Sequence, residues 1–239
     1  MVISQAGAVI DGLDIRGRVT VQAPNVTIKN SIIRGAASGY TGPRFLIVNW
    51  GNPNLQIIDT EIAATVANSY VNGIAGNNYT LDRVNIHNVI DSTNILGDNV
   101  TIKNSWLHDN LYYAQDPNWN GNPSHADSIQ VQNGTNITIT GNTIRGGRNA
   151  GVMITQDRGA VSNLSFTKNN ADGGACTINI AQKTYGPLQV IVINDNTFGR
   201  NTALTNCAII AADTTKALMT VTNNFYTPDN TPVTVRRGS

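Results

Sequence analysis

The sequence predicts an all-β chain wound as a right-handed parallel β-helix, a solenoid of about eight coils with three short strands in each. Three observations predict it. The first is a repeat: NVTIKNSIIRG at 25–35 returns as NVTIKNSWLHD at 99–109 and as NITITGNTIRG at 136–146, with looser copies at 54–63, 78–88, 163–173, 190–200 and 219–226. The second is spacing. Equivalent apolar positions Ile28, Ile57, Leu81, Ile102, Ile139, Phe166, Ile193 and Val221 are separated by 29, 24, 21, 37, 27, 27 and 28 residues, the near-regular period of stacked coils. The third is alternation: within each copy apolar and polar residues trade places at every step, the period of a strand and not of a helix.

Taken in order, residues 1–18 precede the first copy and are expected to cap that end as strand and turn. A second kind of strand falls between the copies: FLIVN (45–49), NGIAG (72–76), TNILG (93–97), SIQVQ (128–132), GVMIT (151–155), TINIA (177–181) and AIIAA (208–212). One coil therefore reads as a strand, a short turn, a second strand, an Asn or Gly corner and a third strand, after which a variable loop leads on. The corner asparagines Asn30, Asn104, Asn142, Asn169, Asn196 and Asn224 align to within one step; asparagine tolerates tight corners and can bond to its copies above and below. Cys176 and Cys207 hold matching places on consecutive coils, which puts their backbones about 5 Å apart. That separation suits a disulfide and equally suits two stacked buried thiols. The sequons at Asn25, Asn78, Asn99, Asn133, Asn136 and Asn163 mostly recur where the second strand begins, so the repeat generates them and glycosylation is not expected.

Composition narrows the function classes. The 239 residues are read as one domain, 1–239; only 13% are charged and the formal net charge is +1, so no bulk field draws nucleic acid or an anionic membrane. No apolar run approaches the roughly 20 residues of a membrane span. No basic-then-apolar leader precedes Val2, so a signal peptide is not expected within this chain. A monomer is expected.

The longest interruption of the repeat is WLHDNLYYAQDPNWNGNPSHADSIQVQ, residues 106–132, whose core, 108–127, is read as an active-site loop. Two of the three histidines, His108 and His125, lie in it, beside Tyr112, Tyr113, Trp119, Asp109, Asp116 and Asp127; the third, His87, is one repeat earlier. Alignment of the repeats puts Arg34, His87, His108, Arg145 and Asp172 in one place after the third strand, with Arg148 three residues beyond Arg145. The strand after the loop should turn Ser128, Gln130 and Gln132 outward, next to Met153 and Asn179 on later coils. Such a surface suits sugars, whose rings stack on Tyr or Trp while amides bind hydroxyls; Tyr112, Tyr113, Trp119, Gln130, Asn179 and Lys183 are the expected substrate contacts.

This pattern resembles the pectate-lyase-like superfamily over nearly the whole chain, with Trp106–Asp109 followed by DSIQVQNGTNITITGN (127–142) matching its strand–corner–strand units. Sparse charge with abundant Asn, Thr and Gly also resembles secreted bacterial polysaccharide-active proteins, which implies an extracellular location and an anionic polysaccharide as partner. The resemblance implies a lyase cleaving a uronate polymer by β-elimination: a cation neutralises the C6 carboxylate, a base removes the C5 proton and an acid protonates the leaving oxygen. His125 is the expected base, with Asp127 orienting it, and Arg145 the expected neutraliser; His108, Tyr112, Arg148 and Lys183 are further candidates. The chain departs from the family in lacking the acidic column that holds calcium in pectate lyases, since only Asp127 lies at its edge. Ca²⁺ is therefore a candidate cofactor with no assigned metal ligands. Three other readings stand beside the lyase: a glycoside hydrolase using Asp109 and Asp127 as its two carboxyls, a uronan C5-epimerase sharing the same half-reaction, and a non-catalytic carbohydrate-binding solenoid. The Asn-Thr-Asp and Gly-His-Gly motifs of β-helical polygalacturonases are absent, which weighs against the hydrolase.

Overall fold

A computed structural model describes residues 1–35 and 45–238. The strands form three parallel sheets of ten, nine and nine members, visited in rotation along the chain. That is a right-handed parallel β-helix of nine complete coils closed by a last strand, Val235–Arg237. The alternation sets the register. Ile28, Ile57, Leu81, Ile102, Ile139, Phe166, Ile193 and Val221 pair in one unbroken series down the second sheet, and all but Val221 are almost wholly buried. Their outward neighbours, such as Thr80, Thr101, Thr138 and Ser165, form the polar face of the same sheet.

One coil more is present than the spacing suggests. Residues 1–18 consist of strand and turn and take the form of a first coil: Val2–Ile3, Val9–Asp11 and Asp14–Ile15, with Ile10 paired to Ile28. Its step of 18 residues falls below every other step, and its Val2, Val9 and Leu13 are exposed, so neither spacing nor apolar patterning marks it.

The corner asparagines occupy two positions, not one. Asn30 and Asn104 take left-handed backbone (φ 49° and 53°) at the place shared by Asp59, Arg83, Gly141, Lys168, Asp195 and Asn223. The following residue turns inward, and there Asn142, Asn169, Asn196 and Asn224 form a buried ladder. The Oδ1 of Asn169, Asn196 and Asn224 accepts the backbone N–H of the asparagine one coil before it, at 2.9, 2.8 and 3.2 Å, and that of Asn142 accepts the N–H of Ser105 at 2.9 Å. The Nδ2 groups of Asn142, Asn169 and Asn196 reach Ile102, Ile139 and Phe166 carbonyls. Earlier coils fill this position with Ser31, Thr60 and Ser105, whose hydroxyls donate back to the chain. A second, exposed ladder runs through Asn25, Asn54, and then Asn78, Asn99, Asn136 and Asn163, all left-handed. Most of the sequon asparagines belong to it, with their amides engaged.

Cys176 and Cys207 form a disulfide with a Cα–Cα distance of 4.7 Å, settling in favour of the bond the choice that spacing left open. No helix among the described residues is long and apolar enough to cross a membrane.

Candidate functional site

The long loop leaves the third-sheet strand Trp106–Leu107 and returns into the first-sheet strand Asp127–Asn133. It is held by its own polar side chains. Buried Asp116 accepts from the N–H of Asn118 at 2.8 Å and from the hydroxyl of Ser124 at 2.6 Å, capping the single turn Pro117–Trp119. Ser124 and Tyr113 also exchange backbone and hydroxyl bonds. The Nδ2 of Asn118 donates to the Ser69 carbonyl, which ties the loop to an earlier coil. So anchored, the loop presents Trp119 stacked on His125, ring centroids 3.9 Å apart.

That pair walls a groove of about 390 Å³ over the first sheet. Its floor carries Asn72, Asn94, Gln130 and Gln132, its rim Phe45, Tyr70 and Trp119, and its ionisable groups are Asp91, Asp116, His125, Asp157 and Arg158. The floor is wired together: Nε2 of Gln132 donates to Gln130 at 2.7 Å, and Oε1 of Gln132 accepts from Nε of Arg158 at 2.8 Å. A register shift between Ile95 and Leu96, opposite this strand, lies at the same place; such bulges commonly re-aim side chains beside active sites.

Asp91 is the residue that the sequence reading missed. It is 9% exposed and aligns with Asp127 one coil on, since Thr93 pairs with Ile129. Its Oδ1 accepts the backbone N–H of Asp127 at 2.9 Å and its Oδ2 accepts from Nδ2 of Asn94 at 3.2 Å. Burial pushes the Asp91 carboxyl up to about 7, outweighing both hydrogen bonds. Asp127 is fully buried and is raised as well, by burial first and by the charge of Asp91 second. One Asp127 oxygen accepts from Asn149 and the other has no partner. The repeated Asp-Ser of Asp91-Ser92 and Asp127-Ser128 was the signal that could have found it.

The expected site residues divide into separate neighbourhoods. His125, Trp119 and Gln130 line the groove. Arg145, Arg148 and Tyr112 line a different pocket of about 650 Å³, over the turn that follows the strand Thr143–Arg145. The groove and this pocket share no lining residue, so His125 and Arg145, expected together as base and neutraliser, face different cavities. Asp127 does not orient His125 either: it is spent inside, on Asn149, while the imidazole stacks on Trp119.

The ladder His87, His108, Arg145, Asp172 forms as aligned, but on the outer face of the third sheet. His108 lies between Trp106 and His87, at 3.6 and 5.0 Å, with its nitrogens on Asp109 and Asn85 at 2.7 and 2.8 Å. Both ring nitrogens are hydrogen-bonded, and it lines neither the groove nor the Arg145 pocket. Asp109 is exposed on that face and Asp127 is buried, so the two carboxyls do not flank a common cleft. Tyr113, Asn179 and Lys183 also stand outside the groove lining; Lys183 pairs with Asp157 at 3.1 Å on the groove's edge. Ser128, expected outward, is buried, with its hydroxyl on Asn110.

Among the described residues, no group of three or more His, Cys, Asp or Glu side chains converges to hold a metal ion. No residues are therefore assigned as calcium ligands. Neither a protein-family model, nor a curated protein, nor a solved structure matches the chain.

Proposed function

We propose that the protein cleaves a uronate-containing polysaccharide bound in the first-sheet groove, by β-elimination. The observation that carries this reading is the convergence on one amide-floored, aromatic-rimmed groove of an imidazole, a guanidinium and a carboxyl that holds a proton near neutrality. Sugar rings rest on Trp119 and Tyr70 while Asn94, Gln130 and Gln132 bind hydroxyls. Arg158 takes over the neutralising role first expected of Arg145, pairing with the C6 carboxylate so that charge developing on it is stabilised. His125 removes the C5 proton, the electron pair forms the C4–C5 double bond, and the C4–O bond breaks. Asp91, protonated in part at neutral pH, supplies the proton to the leaving oxygen. The disulfide favours an oxidising location, in keeping with a secreted protein.

A glycoside hydrolase is the second reading, favoured by Asp91 itself: a raised carboxyl is the usual general acid, and Asp157 is an additional carboxylate lining the same groove. A panel of anionic and neutral polysaccharides, assayed for the ultraviolet absorbance of a new double bond and for reducing ends, decides. A lyase gives both signals and a hydrolase only reducing ends. Neither signal on any polymer overturns the cleavage reading and leaves an epimerase or a binding solenoid.

A further inference from the structure

We propose that the pocket over the Arg145 turn is a second carbohydrate site, separate from the groove, that takes a carboxylated sugar unit. The uronate class rests on the reading above; the existence of a second site does not. The pocket's volume, about 650 Å³, is that of a small-molecule site. Arg145 and Arg148 face it together with the ring of Tyr112. The Arg148 guanidinium sits 4.5 Å from the Tyr112 ring centroid and has no carboxylate partner among the described residues. Asp172, the pocket's acid, is already satisfied by Nδ2 and N–H of Asn201 at 2.6 and 2.9 Å and by the N–H of Gly173 at 2.9 Å. Arg145 approaches it only at 3.4 Å, giving its shorter bond, 2.8 Å, to Asn170. Two guanidiniums against one satisfied carboxylate leave the pocket cationic.

Gly146, Gly147, Gly173 and Gly174 also line the pocket, and two of them are fixed for a steric reason. A Cβ at Gly147 would stand 2.1 Å from the Ala150 carbonyl oxygen, and one at Gly174 would stand 2.7 Å from that of Cys176, so neither position admits a side chain. A planar carboxylate can be bound by a guanidinium fork while a sugar ring lies along Tyr112. Tyr112 stands in this pocket, whereas Trp119 and His125 of the same loop stand in the groove. One polymer chain engaging both sites would gain avidity without any new contact in the groove.

The test is amide NMR of the full chain titrated with D-galacturonate, D-glucose and inorganic sulfate. Galacturonate should shift the amides of Gly146, Gly147 and Arg148, with glucose at least about tenfold weaker there, and Arg148→Ala should weaken galacturonate at least about tenfold. His125→Ala should leave these shifts unchanged. Galacturonate shifts confined to Gln130 and Gln132, or none at all, overturn the second site; equal binding of sulfate overturns its sugar selectivity; full affinity in Arg148→Ala overturns the arginine assignment. Arg148 is exposed, so a folded variant is expected, and an unchanged amide spectrum elsewhere verifies it. Loss of polymer cleavage in groove variants is read separately, so either proposal can fail alone.

Discussion

Asp91 and Asp127 stand at the same place on consecutive coils, and the backbone N–H of Asp127 donates to Oδ1 of Asp91 at 2.9 Å. Asn72, one coil earlier, does the same for the N–H of Asp91 at 2.9 Å. Two side-chain oxygens in succession thus extend the first sheet sideways where the loops leave it. Asparagine serves at one rung, so carboxyls are not required for the bonding.

The sign of the pH dependence follows from that pair. Both carboxyls are raised above 3.8 by burial, Asp91 to about 7. A raised acid contributes stability that is complete below the unfolded value and is lost as pH rises through the folded one. The melting temperature should therefore fall as pH rises from 3.8 to about 7 and level off above that, and Asp91→Asn and Asp127→Asn should each flatten that fall. A fall of the same size in both variants would assign it to other groups.

Val190 holds left-handed backbone, φ 55°, at the rung of the exposed ladder next to Asn163. A β-branched residue is a steric outlier there, and left-handed backbone costs an ordinary L-residue about 1–2 kcal/mol. Val190→Asn should relieve this and offer Nδ2 to Asn163, raising stability by about 1 kcal/mol. Thermal melts should show a rise of about 2–4 °C; no rise would mean that the strain is absorbed elsewhere.

The buried ladder should behave in the opposite way. Asn169→Ala removes the acceptor of the Asn142 N–H and a donor to the Ile139 carbonyl, leaving the N–H buried and unpaired. Such a group costs about 1–3 kcal/mol, so chemical denaturation should show a loss of at least about 1 kcal/mol with the fold retained. A loss below about 0.5 kcal/mol would mean that the ladder adds little beyond van der Waals contact.

The coils were legible because their signal is local and repeated. Ile28 through Val221 obey one alternation, and parallel pairing preserves it without register choice. The two corner positions were blurred because Asn30 and Asn142 are the same residue type doing different work, one solving a backbone angle and the other filling buried hydrogen bonds. The site was harder for a different reason. His125 and Tyr112 share one loop, and Arg145 ends a strand on the following coil, but a loop has two sides, and which side a residue takes is set by tertiary anchors such as Asp116–Ser124 and Asn118–Ser69. Asp91 was hidden because burial, not residue type, raises its carboxyl.

The chemical step supplies the last prediction. An imidazole is the side chain that exchanges a proton most readily near neutral pH, and general base catalysis typically supplies about 10² to 10⁴ in rate. His125 is exposed on the groove wall with its ring held by Trp119, so His125→Ala should lower kcat at least about 100-fold while the melting temperature barely moves. Arg158→Ala should do the same, because the bond it loses, to Gln132 at 2.8 Å, lies at the surface. Arg145→Ala, which points into the other pocket, should change kcat by less than about threefold, the scatter of a residue outside the reacting centre. Steady-state kinetics of the three variants on the cleaved polymer check this. A large kcat loss in Arg145→Ala with full activity in Arg158→Ala would move the reacting sugar out of the groove and into the pocket beside Tyr112.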